Sequence, residues 1–324
     1  MIALGVSGLN SQENNFQVYG FITDSTSGEA LIGANVFIRE TGQGMATDNN
    51  GYYVLSGIAD DQAELVVSYV GYQQYYQKLD FASSSSQKLD VSLKPETIEL
   101  MQVDVTAEEI ERLNRIEPSR VNLSPRILKA QPSLAEPDIF RTIQSLPGVL
   151  TTSEFSTGLV IRGGNTDQNL ILLDGITVYN PSHLGGLFSN FIVDAVKDAE
   201  LIKGGYNAEY GGRLSAVLDI RSREGNRNKF EGSSSVSLLT AQTTLEGPFL
   251  NGAWLLAGRR TYFDKVLPYV TDSFDLPYYF YDLQGHVFTD LNEKDRISLS
   301  FYRGVDDLEF QDLDLDSDWG NKTT

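Results

Sequence analysis

The sequence predicts a mainly β protein with a small α/β domain near its middle. Three observations lead to this fold class. Residues 16–94 contain short alternating runs separated by turn residues, which is typical of a β-sandwich. Residues 153–223 combine apolar segments closed by glycines with one helical segment. Residues 226–324 contain longer alternating runs of about ten residues, which is typical of membrane β-barrel strands.

Composition excludes several classes of function. The formal net charge of −19 argues against a nucleic-acid partner, because binding phosphates requires clustered Lys and Arg. The sequence contains no cysteine, so disulfides, thiolate metal sites and cysteine nucleophiles are excluded. No apolar run reaches the length of a transmembrane helix, which excludes a helical membrane protein.

Residues 1–15 are predicted to be part of a signal peptide or a disordered tail. Met1 to Gln12 is a short apolar run followed by small and polar residues, as at the end of a secretory signal, but the basic start of such a signal is missing. We therefore expect the true start of the protein to lie upstream of Met1.

Residues 16–94 are predicted to form the sandwich, with strands at 16–24, 34–38, 51–55, 64–70 and 87–93. Three segments within it resemble the carboxypeptidase-regulatory-like domain, a transthyretin-like sandwich: Gly28 to Val36, Thr47 to Tyr53 and Val67 to Tyr72. A zinc peptidase is excluded nevertheless, because the only two histidines, His183 and His286, do not stand in a zinc-binding motif.

Residues 95–118 are predicted to be a linker that contains a short extended segment. The residues of this segment are Val103, Asp104, Val105, Thr106 and Ala107. Its β-branched side chains favour extended backbone, which can join the edge of a partner's sheet through main-chain hydrogen bonds. Alternatively, Val103 to Thr106 forms the last strand of the sandwich. Residues 108–118 are charged and helix-prone, as in a tether.

Residues 119–225 are predicted to form the α/β domain. A turn is expected at Ser124-Pro125-Arg126, followed by a helix within 133–148 that ends at Pro147-Gly148. A second, short helix is expected at 193–198. Strands are expected at 159–161, 170–173, 199–202 and 216–220, each next to a glycine-rich turn.

Four motifs occur in these turns, in an order that resembles the plug domain of TonB-dependent outer-membrane transporters. The motif residues are Arg162, Gly163 and Gly164; Asp174 and Gly175; Gly204 and Gly205; and Tyr210, Gly211 and Gly212. Carboxypeptidase-regulatory-like domains commonly precede the plug in transporters of Bacteroidetes-type bacteria, and the extended segment at 103–107 resembles the TonB box that precedes a plug.

The resemblance implies a location and partners. The protein would lie in the outer membrane of a Gram-negative cell, in contact with its lipid, with the sandwich in the periplasm. A periplasmic TonB-type energy-coupling protein would bind Val103 to Ala107. A surface substrate-binding lipoprotein is a further expected partner. The small extracellular ligand would be an iron chelate, a glycan or a peptide.

The resemblance also implies roles for residues of the plug. Arg162 would hold carboxylates of the barrel wall, although it could equally cap neighbouring strand ends. Glu209 stands where the family often has a second basic residue, so a latch of two arginines is not expected. His183, Leu184 and Phe188 would lie in an apical loop that faces the ligand, although a lone histidine in such a loop often has no specific role.

Residues 226–324 are predicted to be the first strands of a barrel, with apolar side chains outward and polar ones inward. Tyr262-Phe263 and Tyr278 to Tyr281 suit the aromatic girdles at the membrane interfaces. The family closes a barrel of about 22 strands, and about four or five are expected here, so the sequence is expected to be a fragment. Residues 306–318 could hold calcium, but a solvated loop is the favoured interpretation.

The function expected from the sequence is import of a scarce nutrient through a plugged β-barrel, energised from the periplasm. The alternative is a secreted β-rich adhesion or glycan-binding protein. An enzyme is a distant third, because no nucleophile and base, metal cluster or phosphate-binding loop is evident. No cofactor or resident metal is expected.

Overall fold

The computed structural model describes residues 16–82, 84–96, 120–130, 136–153, 156–237, 239–262, 264–265, 278–292, 295–309 and 318–323. The chain divides into two compact units, Met1–Gln102 and Val103–Thr324. The predicted N-terminal signal, the extended segment at 103–107 and the tether after it lie outside the described residues, as does most of the predicted calcium loop. In the described part, no helix is long and apolar enough to cross a membrane.

The first unit is a β-sandwich, as predicted. One sheet has the order β4-β1-β7, with β8 also pairing with β1, and the other has the order β3-β2-β5-β6. Its core contains Val18, Val36, Tyr53 and Leu65, which are buried between the sheets. The strands are β1 (Phe16–Asp24), β2 (Asn35–Ile38), β3 (Gly44–Ala46), β4 (Tyr52–Ile58), β5 (Gln62–Ser68), β6 (Tyr75–Asp80), β7 (Ser86–Lys88) and β8 (Val91–Leu93).

The end of the sandwich differs from the single strand predicted at 87–93. β7 and β8 are separate, and both run parallel to β1. Between them Asp90 accepts a hydrogen bond from the Phe21 backbone N–H at 3.0 Å, and the carbonyl of Leu89 accepts one from the Tyr53 hydroxyl at 2.9 Å. A side chain at Gly20 would come within 2.0 Å of that carbonyl oxygen, so glycine permits this close crossing.

The predicted plug domain, in the second unit, has a five-stranded mixed sheet, of order β13-β12-β17-β16-β9. β12 and β17 are parallel, and the other pairs are antiparallel. The helices pack Leu128, Ile139 and Ile143 into one core with Leu201 and Leu218 of the sheet. The elements are β9 (Arg120–Leu123), α1 (Pro125–Ala130), α2 (Ile139–Gln144), β10 (Val149–Thr151), β11 (Leu159–Ile161), β12 (Leu170–Leu173), β13 (Ile176–Thr177), β14 (Ser182–His183), β15 (Phe188–Ser189), β16 (Val196–Ile202) and β17 (Val217–Ser222).

The helices of the plug depart from the sequence prediction in three places. The expected turn at Ser124-Pro125-Arg126 opens helix α1, because proline suits the first helical position. The helix expected within 133–148 is the shorter α2, which begins where Asp138 accepts hydrogen bonds from the first backbone N–H groups. The short helix expected at 193–198 is a single 3₁₀ turn at Val193–Ala195, because β16 already begins at Val196.

The last six strands form one antiparallel sheet in sequential order, which we call the wall sheet; about four or five strands were expected. The sheet is open in the described residues, as in an incomplete barrel. Ile297 and Leu299 on its outer face are exposed, as predicted. Its strands are β18 (Glu231–Val236), β19 (Thr240–Phe249), β20 (Gly252–Thr261), β21 (Tyr278–Asp290), β22 (Arg296–Glu309) and β23 (Asp318–Thr323).

The inner face of the wall sheet is more apolar than the predicted pattern of polar residues inward. Leu255 and Ala257 are buried there because they pack against Ile192 and Ala195 of the plug. The interfacial girdle predicted at 278–281 is wrong for two of its members. Tyr278 and Phe280 are fully buried and form a cluster with Phe188 of the plug.

Candidate functional site: the contact between plug and wall sheet

Two clusters of charged side chains join the plug to the wall sheet, and the first is buried while the second is partly buried. The His183 cluster consists of Glu136, His183, Arg259, Tyr278, Asp282, Tyr302 and Asp306. The Arg223 cluster consists of Lys197, Arg223, Glu224, Arg227, Glu246, Asp290 and Arg296. In both clusters, residues of the plug or of the segment after it meet residues of the wall strands.

A short hairpin presents His183 to the wall. β14 and β15 pair antiparallel, with His183 opposite Phe188. The turn between them contains Leu184 at φ 47° and Gly185 at φ 63°, both in the left-handed region. The His183 ring stacks on Phe280 of β21, with the centroids 4.1 Å apart and the planes 9° apart. The hairpin therefore fixes the ring between the plug and the wall.

Both ring nitrogens of His183 face carboxylates from neighbouring wall strands. Nε2 lies 2.8 Å from Oδ1 of Asp282, and Nδ1 lies 3.0 Å from Oδ2 of Asp306. A neutral imidazole has only one N–H, so only the imidazolium can donate to both carboxylates. Burial opposes the charge on the ring, but the hydrogen bonds to Asp282 and Asp306 outweigh it and raise the pKa of His183 above 6.5.

Arg259 on β20 connects the same carboxylate to the plug. Its Nε and Nη2 donate to Oδ2 of Asp282 at 2.9 and 2.5 Å, and its Nη1 donates to Oε1 of Glu136 at 2.5 Å. Nη2 also donates to the backbone carbonyl of Ser189 at 2.6 Å. The guanidinium thus holds one wall strand and two plug segments at once, which its fixed planar fork makes possible.

Three hydroxyl groups donate further hydrogen bonds to the carboxylates of the His183 cluster. Tyr278 donates to Oδ1 of Asp306 at 2.5 Å, and Tyr302 donates to Oδ1 of Asp282 at 3.3 Å. Thr240 donates to Oε2 of Glu136 at 2.7 Å. Because buried charges are tolerated only when they are paired and hydrogen-bonded, the cluster is expected to be stable only with its members together.

The Arg223 cluster joins the end of β17, which belongs to the plug, to residues of the wall strands β19, β21 and β22. Nη2 of Arg223 lies 2.8 Å from both carboxylate oxygens of Glu246. Arg296 donates to Glu224 at 2.9 Å and to Asp290 at 2.7 Å. Burial disfavours the charged form of Glu224, but nearby Lys197 and the arginines outweigh it and lower the pKa of this carboxyl. This cluster fixes the point where the chain passes from plug to wall.

The glycine motifs predicted from the sequence form turns of the plug. The Asp174-Gly175 turn joins β12 to β13 with φ values of 51° and 80°, as a tight hairpin requires. Oδ1 of Asp174 accepts from the backbone N–H of Ser222 at 2.7 Å. Gly163, Gly204, Gly205 and Gly212 all have positive φ, whereas Gly211 does not. Tyr210 donates to Asp219 at 3.3 Å.

Arg162 keeps its implied role of holding carboxylates of the barrel wall only as a prediction. It is exposed at φ 48°, and no ion pair joins it to a carboxylate of the described residues. Among those residues, the arginines that connect plug and wall include Arg223, Arg259 and Arg296. The pattern of the sequence identified none of them, because Arg259 stood out only as one polar position in an alternating strand.

The residues predicted to face the ligand are buried or partly buried. His183 is 1% exposed and Phe188 is 6% exposed, and both pack against the wall strands. Leu184 is partly buried beside them. Contact of these side chains with a ligand stays a prediction. The sequence signal that could have located them is the pair of inward-facing aspartates, Asp282 and Asp306.

Two segments of the chain match known families. Residues 18–105 match the CarboxypepD_reg-like domain, and residues 123–217 match the TonB-dependent Receptor Plug Domain. Among the described residues, no group of three or more His, Asp or Glu is arranged to hold a metal ion.

The chain is also similar to two curated proteins. It is 29% identical over 219 residues to TonB-dependent receptor P26 of Formosa agariphila, covering 63% of this chain and 20% of that protein. It is 28% identical over 239 residues to TonB-dependent receptor SusC of Bacteroides thetaiotaomicron, covering 68% and 23%. The chain thus spans about a fifth of the length of these relatives.

Solved structures to which the chain is similar in part include a mutant of the ferric enterobactin receptor PfeA from Pseudomonas aeruginosa. It is 18% identical with a TM-score of 0.44, covering 62% of this chain and 34% of the receptor. The copper transporter OprC is 14% identical with a TM-score of 0.41, covering 59% and 31%.

Proposed function

Because this chain carries the plug domain of the TonB-dependent receptors behind a CarboxypepD_reg-like domain, we propose that it is part of an outer-membrane receptor that imports a scarce nutrient. Receptors of this family are transporters and not enzymes. The observation that carries the proposal is the seating of the plug on the wall sheet through one buried and one partly buried charged cluster.

The energy for transport comes from the periplasm in this proposal. A TonB-type coupling protein binds Val103 to Ala107, which add as a strand to the edge of its sheet through main-chain hydrogen bonds. Tension on this segment then remodels the plug and opens a path. The segment lies between the sandwich and the plug, as this role requires.

The surfaces of the wall sheet suit the proposed location. Ile297, Leu299 and Phe301 alternate on the outer face of β22 and are exposed, so they would contact outer-membrane lipid. The sandwich would lie in the periplasm. A small ligand, whether an iron chelate, a glycan or a peptide, would arrive from outside, with a surface substrate-binding lipoprotein as a further partner.

The test is a deletion of residues 103–107 in the complete receptor, compared with a control deletion of residues 111–115 from the same linker. We expect the first deletion to abolish capture of the receptor by the periplasmic domain of the coupling protein. The control should be captured like the wild type. Both proteins should be found in the outer-membrane fraction in normal amounts. Unchanged capture after deletion of 103–107 would refute the assigned role.

A further inference from the structure

The His183 ring occupies an unusual position, because it bridges two acidic side chains that belong to adjacent wall strands. Asp282 lies on β21 and Asp306 on β22, and the side chains of all three residues are at most 2% exposed. The same Asp306 accepts the backbone N–H of Leu184 at 3.3 Å, so the turn of the hairpin is tied to the wall beside the ring.

We propose that His183 is a proton-binding site that fastens the β14–β15 hairpin of the plug to the wall sheet, and that loss of this proton releases the hairpin. The inference rests on the proposed function only in assuming that the hairpin has to leave the wall during transport. It assigns to the ring a role in the plug–wall contact, in place of contact with a ligand.

The geometry makes the proton necessary for the contact. When the ring is an imidazolium, each nitrogen carries an N–H that faces one carboxylate. When it is neutral, one nitrogen turns a lone pair toward a buried carboxylate, and the attraction on that side becomes a repulsion. Since the three side chains are shielded from water, this repulsion is only weakly screened.

The charges of the surrounding elements act in the same direction. With the ring protonated, two cations face four carboxylates, and without the proton a single cation faces all four. The groups facing the ring or its partners are Glu136 and Asp138 ahead of and at the start of α2, Arg259 on β20, Tyr278 and Asp282 on β21, and Tyr302 and Asp306 on β22.

The direction of the pH dependence follows from this arrangement. The pKa of His183 is raised above the 6.5 of an unfolded chain. Its contribution to the plug–wall contact is therefore complete below about pH 6.5 and is lost as the pH rises through the raised pKa. The hairpin should be held below about pH 6.5 and released as the pH rises through the raised pKa.

The experiment measures hydrogen exchange of residues 178–192 in the purified complete receptor, without the coupling protein, from pH 5.5 to 9 and with exchange times scaled for the intrinsic rate. We expect the protection of this segment to fall severalfold as the pH rises in the wild type. In His183→Gln the protection should be lower in acid solution and independent of pH. His286→Gln is the matched control, and it should keep the fall of protection that the wild type shows as the pH rises through the raised pKa of His183.

A second variant, Asp306→Asn, tests the proposal if His183→Gln perturbs the fold. With one carboxylate removed, the loss of protection should shift to lower pH. The proposal is overturned if wild-type protection does not depend on pH, if His183→Gln keeps the dependence, or if Asp306→Asn leaves its midpoint unchanged. None of these outcomes depends on the coupling segment at 103–107, so failure here is distinguishable from failure of the proposed function.

Discussion

At the level of single residues, Arg259 is the centre of the contact between plug and wall. It is 4% exposed, and its donors reach Glu136, Asp282 and the carbonyl of Ser189. Such an arginine could not be distinguished in the sequence, because Glu136 lies 123 positions away. The periodicity of the sequence identifies the strand and its inward face. It does not identify which charged side chains of the wall sheet and the plug form pairs.

Replacing Arg259 should therefore be costly. Arg259→Met leaves Glu136 and Asp282 buried without their cation, and we expect the free energy of plug opening to fall by about 3–5 kcal/mol. Arg259→Lys retains the charge but not the planar fork. Its free energy of plug opening should therefore lie between those of Arg259→Met and the wild type. Hydrogen exchange of the plug in the complete receptor measures this. A lysine variant as stable as the wild type would contradict the role of the fork.

Gly304 is a second residue with a specific consequence. A Cβ at this position would lie 2.3 Å from the Tyr302 hydroxyl oxygen and 3.1 Å from Oδ1 of Asp282. We expect Gly304→Ala to weaken the His183 cluster and lower the thermal stability of the plug, and Tyr302→Phe to recover part of the loss in the double variant. Gly258→Ala is the control, since its nearest contact would be 3.9 Å. Equal effects of the two alanines would contradict this explanation.

At the level of secondary-structure elements, the strands of the plug were predictable and the helices were less so. β11, β12, β16 and β17 each end near a glycine turn, and short-range pattern locates such strands well. The bounds of α2 depend instead on Asp138, whose side chain also accepts the backbone N–H of Ser189 at 2.8 Å. That second contact is between distant segments, which local sequence does not reveal.

Asp138 should therefore couple helix α2 to the hairpin. Its Oδ1 accepts from Phe140 at 2.8 Å and from Arg141 at 3.1 Å. Asp138→Ala should destabilise the plug by about 1–2 kcal/mol through loss of the cap, and Asp138→Asn by less, because an amide oxygen remains as an acceptor. Exchange rates of α2 and of β15 should rise together in the alanine variant. A rise confined to α2 would contradict the coupling.

At the level of the whole molecule, the fold class was predictable and the charged contacts were not. Glycine turns, short sandwich strands and long alternating strands each have a local signature. The contacts that hold the plug join residues such as His183 and Asp282, which are 99 positions apart. The inner face of the wall sheet contacts protein and not water. Apolar residues therefore occupy positions on it at which polar ones were expected.

The two clusters together predict that the plug–wall contact has an optimum pH. Glu224 has a lowered pKa, so its contribution is present above about pH 4.5 and is lost as the pH falls through the lowered value. His183 contributes fully below about pH 6.5 and loses its contribution as the pH rises through its raised pKa. Exchange protection of the plug should therefore fall at both extremes. Glu224→Gln should reduce the acid loss and leave the alkaline loss unchanged.

The place of β9 in the plug sheet has a mechanical consequence. This four-residue strand lies at the edge of the sheet, pairs with β16 alone among the described strands, and is the first described element after the linker. A load applied ahead of Arg120 reaches the domain through this strand before any other described element. The few backbone hydrogen bonds between β9 and β16 should break first and expose the buried Leu123 to solvent. The domain would therefore unfold from this edge of its sheet inward.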